Sequence, residues 1–502
     1  MKSLDTIDSF GAIDADNDEI LLECFEDHEA FLDLINFKKF LVIGRKGTGK
    51  TAIFKKILTN RSSDFFSFGH TFDDYPWSHH DKQARVGVPD NEKYTHSWKY
   101  LILMTVSKII LNQDKSLPYN YDSMDHMLKI ESFVIDSYGT RDPDITQIFS
   151  PTKQLRLKPK FEIDLKLFKA GVSPESVPME ELPTIISEVN QNLLNSTLSC
   201  LNPDNLYYIC FDQLDLGFNP GDTNYANRLV GLILACRDIN IRAKEYGKKL
   251  FVCVFLRNDI YNGLHFEDKN KITENFLSLI EWDTSRTKKT LMGLMEKRFQ
   301  KLLADNEQEV ITWDMVFDET KTMTGHQPKY QHIVDRTFLR PRDIIKFSNE
   351  ILSQYKGRIR NGKDNENLLI ENIDINSARS EYSNYFLREL DDEIYKHIPI
   401  YKDYLDIFKT IGCLQFSKED FFKAFESKKA GYPGITDSLS ILKDLYDFSI
   451  IAYYKAGGKG YGGSEYVFKY QNTGSSFDST SSKFKLHPGL MDVLELKKYI
   501  RV

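Results

Sequence analysis

The segment Gly44-Arg45-Lys46-Gly47-Thr48-Gly49-Lys50-Thr51 constrains this chain more than any other stretch of it. It follows Phe40-Leu41-Val42-Ile43, a short continuous apolar run of the kind that forms a parallel strand buried on both faces. In a G-x4-G-K-T segment each residue type has its own task. Glycines let backbone N–H groups close around phosphate, the lysine reaches the outer phosphate oxygens, and the threonine hydroxyl ligates magnesium at a helix N-terminus. The expectation is strand, phosphate loop, then a helix from Lys50 to about Leu58. Gly44 through Ala52 would bind ATP, with Thr51 on Mg2+.

Two more apolar runs, Leu206–Phe211 and Leu250–Leu256, read as buried strands, and the helical pattern Tyr225–Tyr246 lies between them. Alternation of strand, helix and strand predicts a parallel α/β sheet. Phe65–Phe72 and Phe276–Trp282 are weaker strand candidates, and Trp98–Leu111 reads as a core helix. The fold expected is therefore an α/β P-loop NTPase with a parallel-sheet core.

Asp212 ends one buried strand, where such a fold places the carboxylate that holds the magnesium shell. Gln213 follows it. Glutamine orients water but takes no proton, so hydrolysis is expected to be slow or to recruit another carboxylate. Asp215 is the nearest candidate, with capping of the next turn as its alternative role. Arg257 and Asn258 end the neighbouring strand at the carboxyl edge, where ligands collect. Arg257 there is a γ-phosphate sensor or an ion-pair partner. Arg340-Pro341-Arg342-Asp343 opens a later helix, so that Arg340 and Arg342 either reach the phosphates or pair structurally, as Arg340 would with Asp343.

The remaining chain divides by pattern. Residues 1–36 read as an N-terminal helical adaptor, with helical spacing from Asp14 to Ile35. The core spans 37–283 with an insertion at about 113–183, in which Lys153–Phe161 reads as a strand or hairpin. A helical lid and linker cover 284–376, with Gly357–Asn365 as the linker or long turn. From 377 to 502, two helices (Ser417–Phe425, Asp437–Tyr446) precede strands Ser449–Tyr454 and Glu465–Tyr470 around a glycine-rich tip, the pattern of a winged helix.

Bulk properties exclude several classes. With 502 residues and a net charge of −7, no global field drives the chain toward nucleic acid or anionic membrane. Six scattered cysteines without C-x-x-C spacing read as reduced core thiols, and no apolar run reaches about 18 residues, so a cytoplasmic location without membrane contact is expected. His79-His80-Asp81 lacks the distant partners a metal site needs, and no second enzyme is evident.

Phe10-Gly11 with Asp14-Ala15, then Gly44 to Thr51, Asp212-Gln213-Leu214-Asp215, Phe255 to Ile260 and Arg340 to Asp343 follow one another in an order that carries a resemblance. Over about residues 8–355 the chain resembles bacterial P-loop ATPases of the AAA+/STAND group, including KAP-like proteins often found in mobile-element or phage-defence settings. That resemblance implies a nucleotide-driven switch with a helical lid and a winged helix, acting on a protein effector or by self-association. Gln213 departs from the acidic residue common beside the magnesium aspartate, and no nuclease, TIR or protease domain is recognisable. Binding of duplex DNA through the winged helix, where Lys455, Lys459 and Lys469 surround the wing while Asp437 and Asp444 offset Lys443, is the alternative. Phosphorylation of a small molecule is disfavoured by the long C-terminal region.

Overall fold

In the computed structural model, the residues described are 1–71, 90–149, 182–215, 218–219, 221–284, 287, 289–362, 368–431, 437–457 and 463–497. His79-His80-Asp81, the Lys153–Phe161 reading, Lys459 and most of the glycine-rich tip lie outside them. The chain forms two compact units, residues 27–45 with 50–280, and residues 1–26 with 46–49 and 281–502.

The first of these is built on five parallel strands, β1 (Leu41–Gly44), β2 (Phe65–Thr71), β3 (Leu206–Asp212), β4 (Lys249–Arg257) and β5 (Leu277–Leu279), in the order β2-β3-β4-β1-β5. All four residues of β1 are buried, as are Tyr207 through Asp212 of β3, because helices cover both faces of the sheet. Parallel register brings the strand ends to one edge. Gly44 lies opposite Arg257 and Thr71 opposite Asp212. Helices Asp90–Lys108 and Thr223–Glu245 pack closely because Gly231 has no side chain, and a Cβ there would come within 2.6 Å of Tyr94 Cβ. Trp98 Nε1 donates to Arg228 O across the same contact at 2.8 Å.

Helices Leu291–Leu303, Lys329–Val334, Pro341–Arg360, Asn372–Ile394, Tyr401–Ile411, Lys418–Lys428 and Ser438–Asp447 make up most of the second unit. It also contains an antiparallel sheet of order β6-β9-β7-β8, from β6 (Gln415–Ser417), β7 (Ile451–Lys455), β8 (Glu465–Phe468) and β9 (Lys483–Leu486). The N-terminal residues are anchored here by a buried Asp18–Arg298 ion pair and by Phe10 meeting Phe299 edge-on at 5.0 Å.

Several sequence expectations shift. The helix read over Asp14–Ile35 is confined to Glu29–Ile35, where His28 Nδ1 accepts from Ala30 N as its cap; residues 14–24 form turns around the buried Asp18. Gly357 to Arg360 continue the preceding helix instead of starting a linker, since Arg358 pairs with Asp374 on the next helix at 2.9 Å. Strands β6 and β9 have no counterpart in the reading. They are three and four residues long and carry only three apolar side chains between them, Phe416, Phe484 and Leu486. Among the described residues no helix is long and apolar enough to cross a membrane.

Candidate functional site

β1 runs into the loop, and the helix Lys50–Leu58 begins at the lysine itself. Gly47 and Gly49 adopt φ of +80° and +109°, a backbone that side chains other than glycine's rarely accept. Lys50 Nζ donates to the loop's own carbonyls, Gly44 O at 3.0 Å and Arg45 O at 2.9 Å. Desolvation lowers its ammonium to a pKa of about 8, against the opposing pull of Asp212 and Asp215. A lysine held by two neutral carbonyls in low-dielectric surroundings is a ready donor for an anion that arrives there.

Asp212 is 2% exposed. Burial raises its pKa, while hydrogen bonds from the Gln213 N–H and the Thr51 hydroxyl, and the Lys50 charge, act the other way. Its Oδ2 is buried with no hydrogen-bond partner, and so is Oε1 of Gln213. Gln213 stands in the left-handed region at φ +58°, an uncommon conformation for a non-glycine residue and one that clusters at functional sites. Thr51 and Asp212, already hydrogen-bonded to each other, are a hydroxyl and a carboxylate that fit Mg2+, which takes few protein ligands and completes its shell with water and phosphate. Among the described residues no cluster of three or more His, Cys, Asp and Glu side chains forms an all-protein metal cage.

Arg257 donates through Nε and Nη2 to Asp259 at 3.0 and 2.7 Å and through Nη1 to Asp215 at 3.3 Å. Asp215 is therefore an ion-pair partner of Arg257 in this structure. Asn258 starts the short helix Asn258–Gly263 at the same edge.

In the second unit, which contains residues 46–49, the loop's crest is held by Arg340 and Arg342, which pair structurally here, and by acidic side chains and a tryptophan that the motifs did not name. Arg340 is fully buried, forks onto Asp343 with two 2.8 Å bonds, meets Glu393, and donates to Lys46 O at 3.0 Å. Lys46 pairs with Asp392 and lies 3.8 Å from Glu389, which also takes Arg342 at 3.3 Å. A Cβ on Gly47 would come 2.9 Å from Arg342 Cβ, and Trp282 Nε1 donates to Thr48 O at 3.0 Å. Glu389, Asp392 and Glu393 fall on one helix at spacings of three and four residues. That acidic run, set against the basic loop, was the available signal.

Residues 289–391 match the family described as FunZ-associated C-terminal helical domain, a segment that contains Arg340, Arg342 and Glu389. Over 469 residues the chain is 24% identical to the transposon gamma-delta 80.3 kDa protein of Escherichia coli (strain K12), covering 86% of this chain and 59% of that protein. The chain thus spans less than two thirds of that relative's length. A solved structure of the Aeropyrum pernix ORC1 protein in complex with DNA aligns over 95% of this chain and 92% of that one, at 12% identity and a TM-score of 0.35.

Proposed function

We propose that this chain binds ATP with Mg2+ and hydrolyses it slowly, as a regulatory switch of the AAA+/STAND kind. The observation that carries this reading is the pair of buried, unpartnered oxygens, Asp212 Oδ2 and Gln213 Oε1, at the carboxyl edge beside Lys50. Unsatisfied buried acceptors are unfavourable by about 1–3 kcal/mol each, so a native fold retains them where a ligand completes them. Lys50 would exchange its carbonyl bonds for phosphate oxygens, while Thr51 and Asp212 hold the magnesium shell. Bound Mg2+ would neutralise charge on the phosphates. Gln213 would orient water through Oε1 without taking its proton, which keeps turnover slow.

Two substitutions test this. Lys50→Ala should remove most ATP affinity with the fold intact, and Asp212→Asn should bind nucleotide without Mg2+-dependent phosphate release. Wild-type ATP affinity in Lys50→Ala, read by calorimetry, would overturn the site.

A second reading, DNA binding in transposition or replication, draws on the transposon relative and on the helices Lys418–Lys428 and Ser438–Asp447 followed by the β7–β8 hairpin, the parts of a winged helix. A mobile-element setting with a separate effector or self-association accommodates both. Particle mass by light scattering in ATP, in ADP and without nucleotide, with and without duplex DNA, separates them.

A further inference from the structure

Two kinds of ion pair meet at the crest of the loop, residues 46–49, and both belong to the second unit. The first is built to stay. Arg340 is fully buried and forks onto Asp343, and its carboxylate partners Asp343 and Glu393 are buried with it. The second is weaker. Lys46, whose side chain is 24% exposed, pairs with Asp392, which is 61% exposed, and lies 3.8 Å from Glu389. Arg342 reaches Glu389 through Nη1 alone at 3.3 Å, and its Nε is buried with no hydrogen-bond partner. Single-point, partly exposed pairs of this sort add little to stability, so they exchange readily for a better anion.

The carboxylates are aimed by their helix. On Asn372–Ile394, Glu389, Asp392 and Glu393 share one face, whereas Asp391 is turned away and takes the Tyr401 hydroxyl at 2.7 Å and Lys402 at 2.9 Å. Together the pairs at the crest join three cations, Lys46, Arg340 and Arg342, to four carboxylates, Asp343, Glu389, Asp392 and Glu393, a surplus of one negative charge. That balance is the reverse of what a phosphate-cradling loop needs. Arg342 also packs on the crest itself, where the missing side chain of Gly47 leaves room for Arg342 Cβ and Arg342 N donates to Gly47 O at 3.4 Å. A guanidinium is thus stationed against the loop while a carboxylate from the next helix occupies it.

We propose that Glu389 and Asp392 form an electrostatic latch on the loop: in the free protein they hold Lys46 and Arg342, and phosphate bound by the loop takes both cations over, which frees the C-terminal end of the helix Asn372–Ile394 from the crest. The inference rests on the nucleotide reading above and adds to it the residues that restrain affinity. Arg340 keeps its partners in both states, since removing a buried charge from its counter-ions is strongly unfavourable. The latched form binds weakly, because the affinity measured is the intrinsic one reduced by the fraction of molecules in which the latch is open. Nucleotide and latch are antagonists by linkage, so that whatever weakens one strengthens the other.

The test is calorimetry of the full chain with ATP and Mg2+. Glu389→Gln with Asp392→Asn removes both charges at nearly constant side-chain size, and should tighten ATP binding by about three- to tenfold. A gain of affinity separates release of a latch from damage to the fold, which would weaken binding. The same two substitutions made in a Lys46→Gln, Arg342→Gln background should add less than about twofold, because the carboxylates then have nothing to hold. A smaller gain, none or a loss in the first variant overturns the latch. A larger gain in the second background overturns it too, since the carboxylates would then act by plain repulsion of phosphate. Should the double variant lose cooperative melting, Asp392→Asn alone, at an exposed position, must tighten ATP binding in its place, and unchanged affinity there overturns the latch. Failure of the wild-type chain to bind ATP at all removes the nucleotide reading and the latch with it, whereas wild-type binding with no gain in the variant removes the latch alone.

Discussion

Lys50 links the loop's geometry to a titration. With its ammonium lowered to about 8 by desolvation, the free protein begins to lose the proton just above neutral pH, whereas an occupying phosphate favours the charged form. The direction is fixed by which form binds: below pH 8 the site is ready, and above it one proton must be taken up per nucleotide bound. ATP affinity should therefore fall by up to about tenfold per pH unit above 8, and calorimetry in buffers of different ionisation enthalpy should show proton uptake there. A flat affinity from pH 7 to 9.5 would remove Lys50 from the contact. Gln213 gives a second residue-scale outcome, since its left-handed backbone and its unpartnered Oε1 both disfavour the folded state. Gln213→Gly should raise stability by about 1 kcal/mol, after the entropy of an added glycine is set against relief of strain and desolvation. Phosphate release should drop at the same time, and melting curves with turnover assays check both. Gln213→Glu tests the opposite change, and should raise basal turnover if water is already positioned beside it. If Asp215 serves as the base instead, Asp215→Asn abolishes turnover, and it must also loosen Arg257, which now leans on it at 3.3 Å.

At the scale of elements, the helices Pro341–Arg360 and Asn372–Ile394 are tied through one buried cation. Arg340 has Asp343 on its own helix and Glu393 on the next, both buried. Arg340→Met leaves two carboxylates without their counter-charge and should destabilise this unit by about 3–5 kcal/mol, read as an earlier urea transition. An unchanged transition would mean that the pair is dispensable. Elements were legible in the sequence where one strong local signal dominated. The run Leu206–Phe211 and the Lys50 helix came out within a residue or two, because full burial needs a continuous apolar string and the loop motif fixes where a helix starts. β6 and β9 were not, since strands of three or four residues exist only through the partners that register gives them. The site shows the same division. Lys50 and Thr51 of the candidate site were named from the motif and Asp212 from its strand end, whereas Glu389, Asp392 and Trp282 meet the loop's crest from more than two hundred residues away, and nothing local beyond the acidic spacing on one helix marks them.

For the whole molecule, the six cysteines are free and buried, and Cys210 and Cys253 lie in register on β3 and β4 with sulfurs 3.2 Å apart. Native thiol titration should be close to silent, and denaturation should release all six. Rapid labelling of the folded chain would contradict this packing. The strand order has a consequence of another kind, for biosynthesis. β1 pairs with β4 and β5, whose first residues are Lys249 and Leu277. A ribosome adding roughly 5–20 residues per second therefore exposes this wholly apolar strand for roughly 10–40 s before either neighbour emerges. A nascent chain halted before Lys249 should be a strong client for a trigger-factor-type chaperone, and one halted well beyond Leu279, clear of the exit tunnel, should be released from it.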